Sequence, residues 1–240
     1  MAKLISVNVG LPREIPWRGR MVRTAIIKRP VDGPVFAGRL NLAGDGQADL
    51  VSHGGEHRAV MVYQMDSYRY WSDFLGRSDF EPGQFGENFT VEGLPDDEVC
   101  IGDRYRIGGA VFEVTQPRVT CYRLGIRMNH APMPALVVAH RRPGFYLRVL
   151  SEGAVGAGDA IEKVADGPER MTVAEIDQLL YSSDHPVDGL RRGLRISALS
   201  RGWQGSIQAL LDAALAGNTS GNAGLSPAPA AAPQWNGCAG

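Results

Sequence analysis

At 240 residues, with 44% hydrophobic and 21% charged residues, the chain is long enough for one sizeable core and a smaller satellite. A formal net charge of −1 gives no electrostatic case for nucleic acid or an anionic membrane as partner, and the Arg141-Arg142 and Arg191-Arg192 pairs read as solvated faces. Three cysteines at unrelated spacings make no disulfide framework, and neither a long apolar run nor a signal peptide is present, so a reducing, cytoplasmic setting is expected.

In chain order, Leu4 to Val9 alternates as a strand, Arg23 to Lys28 is a second candidate and Ala59 to Tyr63 a third. A helix is expected from Asp66 as N-cap, with Tyr70, Trp71 and Phe74 at helical spacing as core side chains. Val99 to Val114 reads as a hairpin turning at Ile107-Gly108-Gly109-Ala110, and Pro134 to His140 as another helix. Phe145 to Leu150 and Ala160 to Val164 complete the strands, separated by a glycine-rich stretch. Many short strands joined by glycine turns predict a mainly β fold, a barrel or sandwich with added helices.

From Met171 the pattern turns helical. Thr172-Val173-Ala174-Glu175 is a capping box, followed by Ile176, Leu179 and Leu180 on one stripe. Helical stretches at Val187 to Ile196 and Trp203 to Leu215 follow, the latter with Ile207, Leu210, Leu211 and Leu215 on one face. Three short amphipathic helices predict a small bundle, packed on itself or against the barrel. After Gly217 the composition shifts to Gly, Ser, Asn, Pro and Ala, which reads as a flexible tail or a junction to a further part. The expected division is a strand-rich domain over 1–165, a three-helix region over 171–216 and a linker or tail over 217–240.

The chemistry centres on Gln116-Pro117-Arg118-Val119-Thr120-Cys121-Tyr122, which follows the strand-like Ala110 to Thr115, with Pro117 expected to end that strand. A lone cysteine beside a strand is ordinarily a small buried hydrophobe, and Cys100 in Val99-Cys100-Ile101 reads as packing of that kind. Arg118 and Arg123 favour the thiolate of Cys121 and open catalysis or metal ligation to it. Two glycine-bearing polar loops come earlier. Gly44-Asp45-Gly46-Gln47-Ala48-Asp49 leads to His53-Gly54-Gly55-Glu56-His57-Arg58. His53 and His57 stand four apart, as zinc histidines on one helical face do, but Gly54-Gly55 disfavours a helix. The same glycine pair beside Arg58 suits either close backbone approach to an anion or a plain tight turn. In Gly83-Gln84-Phe85-Gly86-Glu87-Asn88-Phe89-Thr90, Glu87 and Asn88 either orient a polar ligand or cap the turn.

Taken together, the two loops, Gly102-Asp103, Pro117-Arg118 with Cys121, and Gly144-Phe145-Tyr146 with Arg148-Val149 resemble the MOSC family, the molybdenum-cofactor sulfurase C-terminal domain. The resemblance is to its stand-alone bacterial branch with three carboxy-terminal helices, and it runs from the amino terminus to about Leu215. It implies a MOSC-type β-barrel-like domain that binds a molybdopterin-type molybdenum cofactor, with Cys121 as the protein ligand to the metal and the catalytic residue. A soft thiolate suits a metal held by the soft sulfurs of a pterin dithiolene. Arg58, Arg118 and Arg148 are candidates for the pterin phosphate, Asn88 and Thr120 for the pterin edge, and His53 for a further cofactor contact.

The family further implies an oxidoreductase that reduces N-hydroxylated compounds such as hydroxylaminopurines, hydroxylamines and amidoximes. The chain has no dinucleotide fingerprint and no iron–sulfur cysteine set, so a flavin and iron–sulfur reductase is expected as electron donor, separate or fused after residue 240. One rival reading is a carrier of molybdenum cofactor or sulfur without turnover. Another is nucleophilic chemistry at Cys121 with His53 or His57 as base.

Overall fold

The computed structural model describes residues 1–50 and 54–219; the tail beyond and His53 lie outside the described residues. Twelve strands are present among them: β1 (Lys3–Val9), β2 (Arg13–Trp17), β3 (Arg20–Thr24), β4 (Arg29–Pro30), β5 (Val35–Ala37), β6 (Val60–Gln64), β7 (Phe89–Glu92), β8 (Arg104–Ile107), β9 (Ala110–Pro117), β10 (Phe145–Ser151), β11 (Gly153–Val155) and β12 (Ile161–Ala165). A 3-10 turn covers Glu56–Arg58. The helices are α1 (Met65–Leu75), α2 (Tyr122–Met128), α3 (Met133–Ala139), α4 (Val173–Tyr181), α5 (Val187–Leu194) and α6 (Arg201–Thr219).

Eight strands form one sheet in the order β12-β8-β9-β10-β6-β7-β1-β4, antiparallel throughout except for the parallel pair β6 and β7. The two ends of this sheet meet. Lys3 of β1 bridges Ala160, Leu4 N–H donates to the Asp159 carbonyl at 2.9 Å, and Ile161 N–H donates to the Ala2 carbonyl at 3.0 Å. The sheet therefore closes on itself, which removes most of its free edge and gives the expected barrel-like form.

β6 shows how the core is divided. All five of its residues are buried; Val60 and Val62 face the barrel interior with Phe89, Phe112 and Phe145, while Met61 and Tyr63 face a second cluster outside. That outer cluster is covered by α1, α2 and α3 through Trp71, Leu124, Met128, Met133 and Val137. Alternation along one strand thus feeds two cores. The three carboxy-terminal helices add Ile176, Leu190, Trp203 and Ile207 to the barrel's own cluster, so they share one continuous core with it. The Thr172–Glu175 capping box forms as expected, with Glu175 N–H donating to Thr172 Oγ1 at 3.0 Å and Thr172 N–H donating to Glu175 at 2.7 Å.

Several local expectations are corrected. α1 starts at Met65 after Gln64, and Asp66, instead of capping, pairs with Arg69 one turn on. Phe74 is 46% exposed, because the apolar stripe of α1 runs through Tyr68 and Trp71. The strand expected over 23–28 lies earlier, at β3, paired with β2 as a separate two-stranded ribbon. The hairpin's first strand begins at Arg104, since Val99 to Asp103 forms a turn in which the Asp103 carboxylate accepts from Cys100 N–H at 2.9 Å and Gly167 N–H at 2.8 Å.

Candidate functional site

An open cleft lies where the segment after β3, the 45–49 loop, the turn before β7 and the segment after β9 converge. Its walls include Ile26, Lys28, Asp45, Arg58, Asn88, Arg118, Cys121, Arg123 and Tyr146. Lys28, Arg58, Arg118 and Arg123 outnumber Asp45 and Asp49 on its surface, which makes it a net basic pocket.

The floor is rigid because one buried carboxylate organises it. Glu87, fully buried, accepts from Gly83 N–H at 2.7 Å, Phe85 N–H at 3.0 Å and Thr90 Oγ1 at 2.7 Å, and also from the Tyr68 hydroxyl. Burial pushes its carboxyl above the usual range, and the donors act in the other direction. Glu87 therefore caps the turn. Gly83 and Gly86 sit at φ +84° and +80°, and a Cβ on either would press on Lys28 O at 2.7 Å or Ile26 Cγ1 at 2.5 Å, so glycine is required twice.

Asn88 lines the cleft with its carboxamide already used. Its Oδ1 accepts from Met61 N–H at 3.1 Å, and its Nδ2 donates to Asn8 O at 3.2 Å and to Asp45 Oδ2 at 2.8 Å. Asp45 also accepts from Gly10 N–H at 2.8 Å and forms a buried ion pair with Lys28. Burial lowers the Lys28 pKa, against the pull of Asp45. Gln47 Nε2 donates to the Arg58 carbonyl at 3.2 Å and fixes this loop to the 3-10 turn. Lys28 was not foreseen as a site residue. Followed directly by Arg29, it reads in sequence as one of a surface pair of charges, and only the fold shows it buried and paired with Asp45.

Arg118 is 7% exposed, makes no ion pair among the described residues, and its Nη1 has no hydrogen-bond partner. β9 continues through Pro117, where Phe145 of β10 pairs with it, and Arg118 N–H donates to Gly144 O at 3.0 Å, which anchors the side chain's origin. Cys121 is half-buried in extended backbone at the start of α2, its carbonyl accepting from Leu124 N–H at 3.0 Å. Tyr146 completes the wall. Burial raises the pKa of its phenol, Arg118 and Arg58 pull it down, and Cys121 pushes it up, so these four groups converge.

Two expected contacts stand elsewhere. Thr120 does not line the cleft and donates from Oγ1 to Pro134 O at 3.1 Å. Arg148 lies two residues beyond Tyr146 on the same face of β10, where it faces Glu113 across the β9–β10 pair and is bound to it, off the cleft wall. The structure thus brings together Arg58, Asn88, Arg118 and Cys121, leaves out Thr120 and Arg148, and says nothing of His53.

Comparison with known proteins agrees with this architecture. The MOSC domain model matches residues 49–162, and a model described as the YiiM-like, 3-alpha helix domain matches 171–214. The uncharacterized protein YflK of Bacillus subtilis is 38% identical over 203 residues, covering 85% of this chain and 91% of that protein. A protein named Reductase from Gibberella moniliformis is 32% identical over 165 residues, 68% of this chain but 29% of its own length. The crystal structure of YiiM from Geobacillus stearothermophilus superposes with a TM-score of 0.75 at 31% identity, covering 88% of this chain and all of that one. No helix among the described residues is long and apolar enough to cross a membrane. By sequence and by fold alike, the chain belongs to the MOSC family, in its stand-alone bacterial branch with three carboxy-terminal helices.

Proposed function

We propose that this chain is a molybdenum-cofactor-dependent oxidoreductase that reduces N-hydroxylated compounds, supplied with electrons by a separate or fused reductase. The observation that carries the reading is the pairing, in one net basic cleft, of the half-buried Cys121 thiol with a buried Arg118 guanidinium whose Nη1 is unbonded. A buried charge without a partner is costly, and an anionic group seated in the cleft would relieve it. The residues therefore fit a molybdopterin-type cofactor: Cys121 as thiolate ligand to a soft metal site, Arg118 on the phosphate, and Arg58 and Arg123 adding positive charge. Asn88 acts through Asp45 and Met61 and holds the wall in shape.

When bound, the cofactor supplies two-electron oxygen removal from an N–O bond. The overall reaction takes up two electrons and two protons and yields the amine and water. Tyr146, whose burial keeps its phenol protonated at neutral pH, presents a hydrogen-bond donor to the cleft. The relative named Reductase supports the oxidoreductase class, and the family supports the cofactor.

The test is to purify the protein from a host that makes the cofactor and measure molybdenum, pterin and steady-state amidoxime reduction with a reduced viologen dye. About one molybdenum per chain with many turnovers each is expected. Loading without catalytic turnover would replace this reading with that of a carrier.

A further inference from the structure

A basic hairpin stands beside the cleft. The β2–β3 ribbon is a two-stranded sheet of its own, and its base runs straight into Thr24, Ala25 and Ile26 of the cleft wall. Between Arg13 and Thr24 it carries Arg13, Arg18, Arg20 and Arg23 against a single acidic residue, Glu14, a net of +3. The whole chain is −1, so all other residues together sum to −4 and the molecule is strongly polarised. All four arginines are exposed, and none is in an ion pair among the described residues.

The tip of the ribbon reaches the reactive sulfur's neighbour. Arg20 stands over the Tyr122 ring at 5.8 Å and Arg123 over the same ring at 5.0 Å, with Tyr122 next in sequence to Cys121. Arg18 stands over Trp17 at 5.5 Å. Met21 and Leu11, 60% and 66% exposed, add apolar contact area to the charged rim. A charged rim around exposed apolar and aromatic groups is the make-up of a protein contact surface.

We infer that the β2–β3 ribbon is the docking surface for an acidic electron-transfer protein that delivers electrons to the cleft. The inference rests on the oxidoreductase reading and adds where, and by what charge, the donor is received. Charge complementarity selects the partner, since four unpaired guanidiniums steer an acidic face to the cleft mouth. Nucleic acid is the poorer match, because the −4 carried by all other residues would repel a polyanion longer than the ribbon.

The experiment uses the full chain loaded with cofactor and the double variant Arg18→Glu/Arg23→Glu, both exposed positions away from the cleft wall. Amidoxime turnover is driven either by reduced viologen dye or by a strongly acidic flavodoxin kept reduced by NADPH and its reductase. The variant is expected to keep the dye-driven rate while its flavodoxin-driven kcat/KM falls about tenfold or more at low salt, with a flatter dependence on ionic strength. Equal flavodoxin-driven rates in the two proteins, or an equal loss with dye, would overturn the inference. Direct binding of flavodoxin to both proteins, followed by fluorescence titration, decides the surface even if the wild type turns over with neither donor, the outcome that removes the oxidoreductase reading itself. Tighter binding of a single-stranded oligonucleotide than of flavodoxin, lost in the variant, would reassign the ribbon to nucleic acid.

Discussion

Arg118 holds a full charge at 7% exposure with one terminal nitrogen unbonded, an arrangement that costs stability unless a ligand completes it. Arg118→Ala is therefore expected to leave the melting temperature of cofactor-free protein unchanged or slightly raised, while cofactor occupancy falls by one to two decades in affinity, roughly 1.5–3 kcal/mol. Arg118→Lys should recover only part of the occupancy, because an ammonium offers a point charge where the guanidinium offers a fork. Pterin content and apo melting temperature measured on the same preparations check this; a drop in apo stability with full occupancy would make Arg118 a structural residue. The two described cysteines divide in the same way. Cys100 is buried beside Asp103, and burial with that neighbouring carboxylate pushes its thiol above the usual range, whereas Cys121 faces the cleft. Cys121→Ala should abolish turnover and metal retention with the fold intact, and Cys100→Ala should keep most of the activity. Equal losses in both would remove Cys121 from the metal.

At the scale of elements, the junction of α4 with the barrel carries an unusual charge. Asp177 on α4 is 3% exposed with Oδ1 unbonded, and burial, helped by nearby Asp96 and opposed by Arg141, pushes its carboxyl up to about 7. Asp96, which accepts from Gln64 Nε2 at 2.6 Å and Gly144 N–H at 3.2 Å, is itself pushed up to about 6 by burial. A carboxyl that holds its proton more tightly when folded contributes stability that is full below its unfolded pKa near 4 and is lost as pH rises towards 7. For Asp177 the span corresponds to on the order of 4 kcal/mol. Between pH 5 and pH 8 the wild type should lose roughly 5–10 °C of melting temperature more than Asp177→Asn does. Parallel curves for the two proteins would mean that Asp177 is ionised without penalty. Neither carboxylate was legible from sequence, because each reads as an ordinary polar position in a loop or on a helix surface, and its burial comes from a contact some eighty residues away. α2 was missed for a local reason: Tyr122 to Met128 is only seven residues with Gly125 inside, too short and too poor in propensity to stand out. The capping box, by contrast, is local chemistry, and the sequence marked the start of α4 correctly.

For the whole molecule, the strand pattern and the three amphipathic helices were readable because burial on one face imposes period 2 or 3.6. The pattern alone left barrel and sandwich open, and the barrel came from the family resemblance, because closure rests on hydrogen bonds between Ala2–Leu4 and Gly158–Ile161, more than 150 residues apart. The cleft divides along the same line. Cys121, Arg118, Arg58 and Asn88 lie in short glycine- or proline-marked stretches that can be picked out one by one. Lys28, Ile26 and Tyr146 enter the same cleft only through tertiary folding, and Arg148 is held off it by its ion pair with Glu113 on the neighbouring strand. What these 240 residues lack is as consequential as what they hold. Their three cysteines make no set for an iron–sulfur cluster, and among the described residues no glycine-rich turn leads from a strand into a helix as dinucleotide binding requires. Cofactor-loaded protein given NADH alone should therefore reduce an amidoxime no faster than the control without enzyme. Adding either a reduced viologen dye or a flavin reductase with its acidic electron carrier should restore turnover without any change in the protein's own metal content. Sustained NADH-driven turnover by this chain alone would reveal a flavin or nicotinamide site within it, and would turn the β2–β3 ribbon from a docking surface into a solvated one.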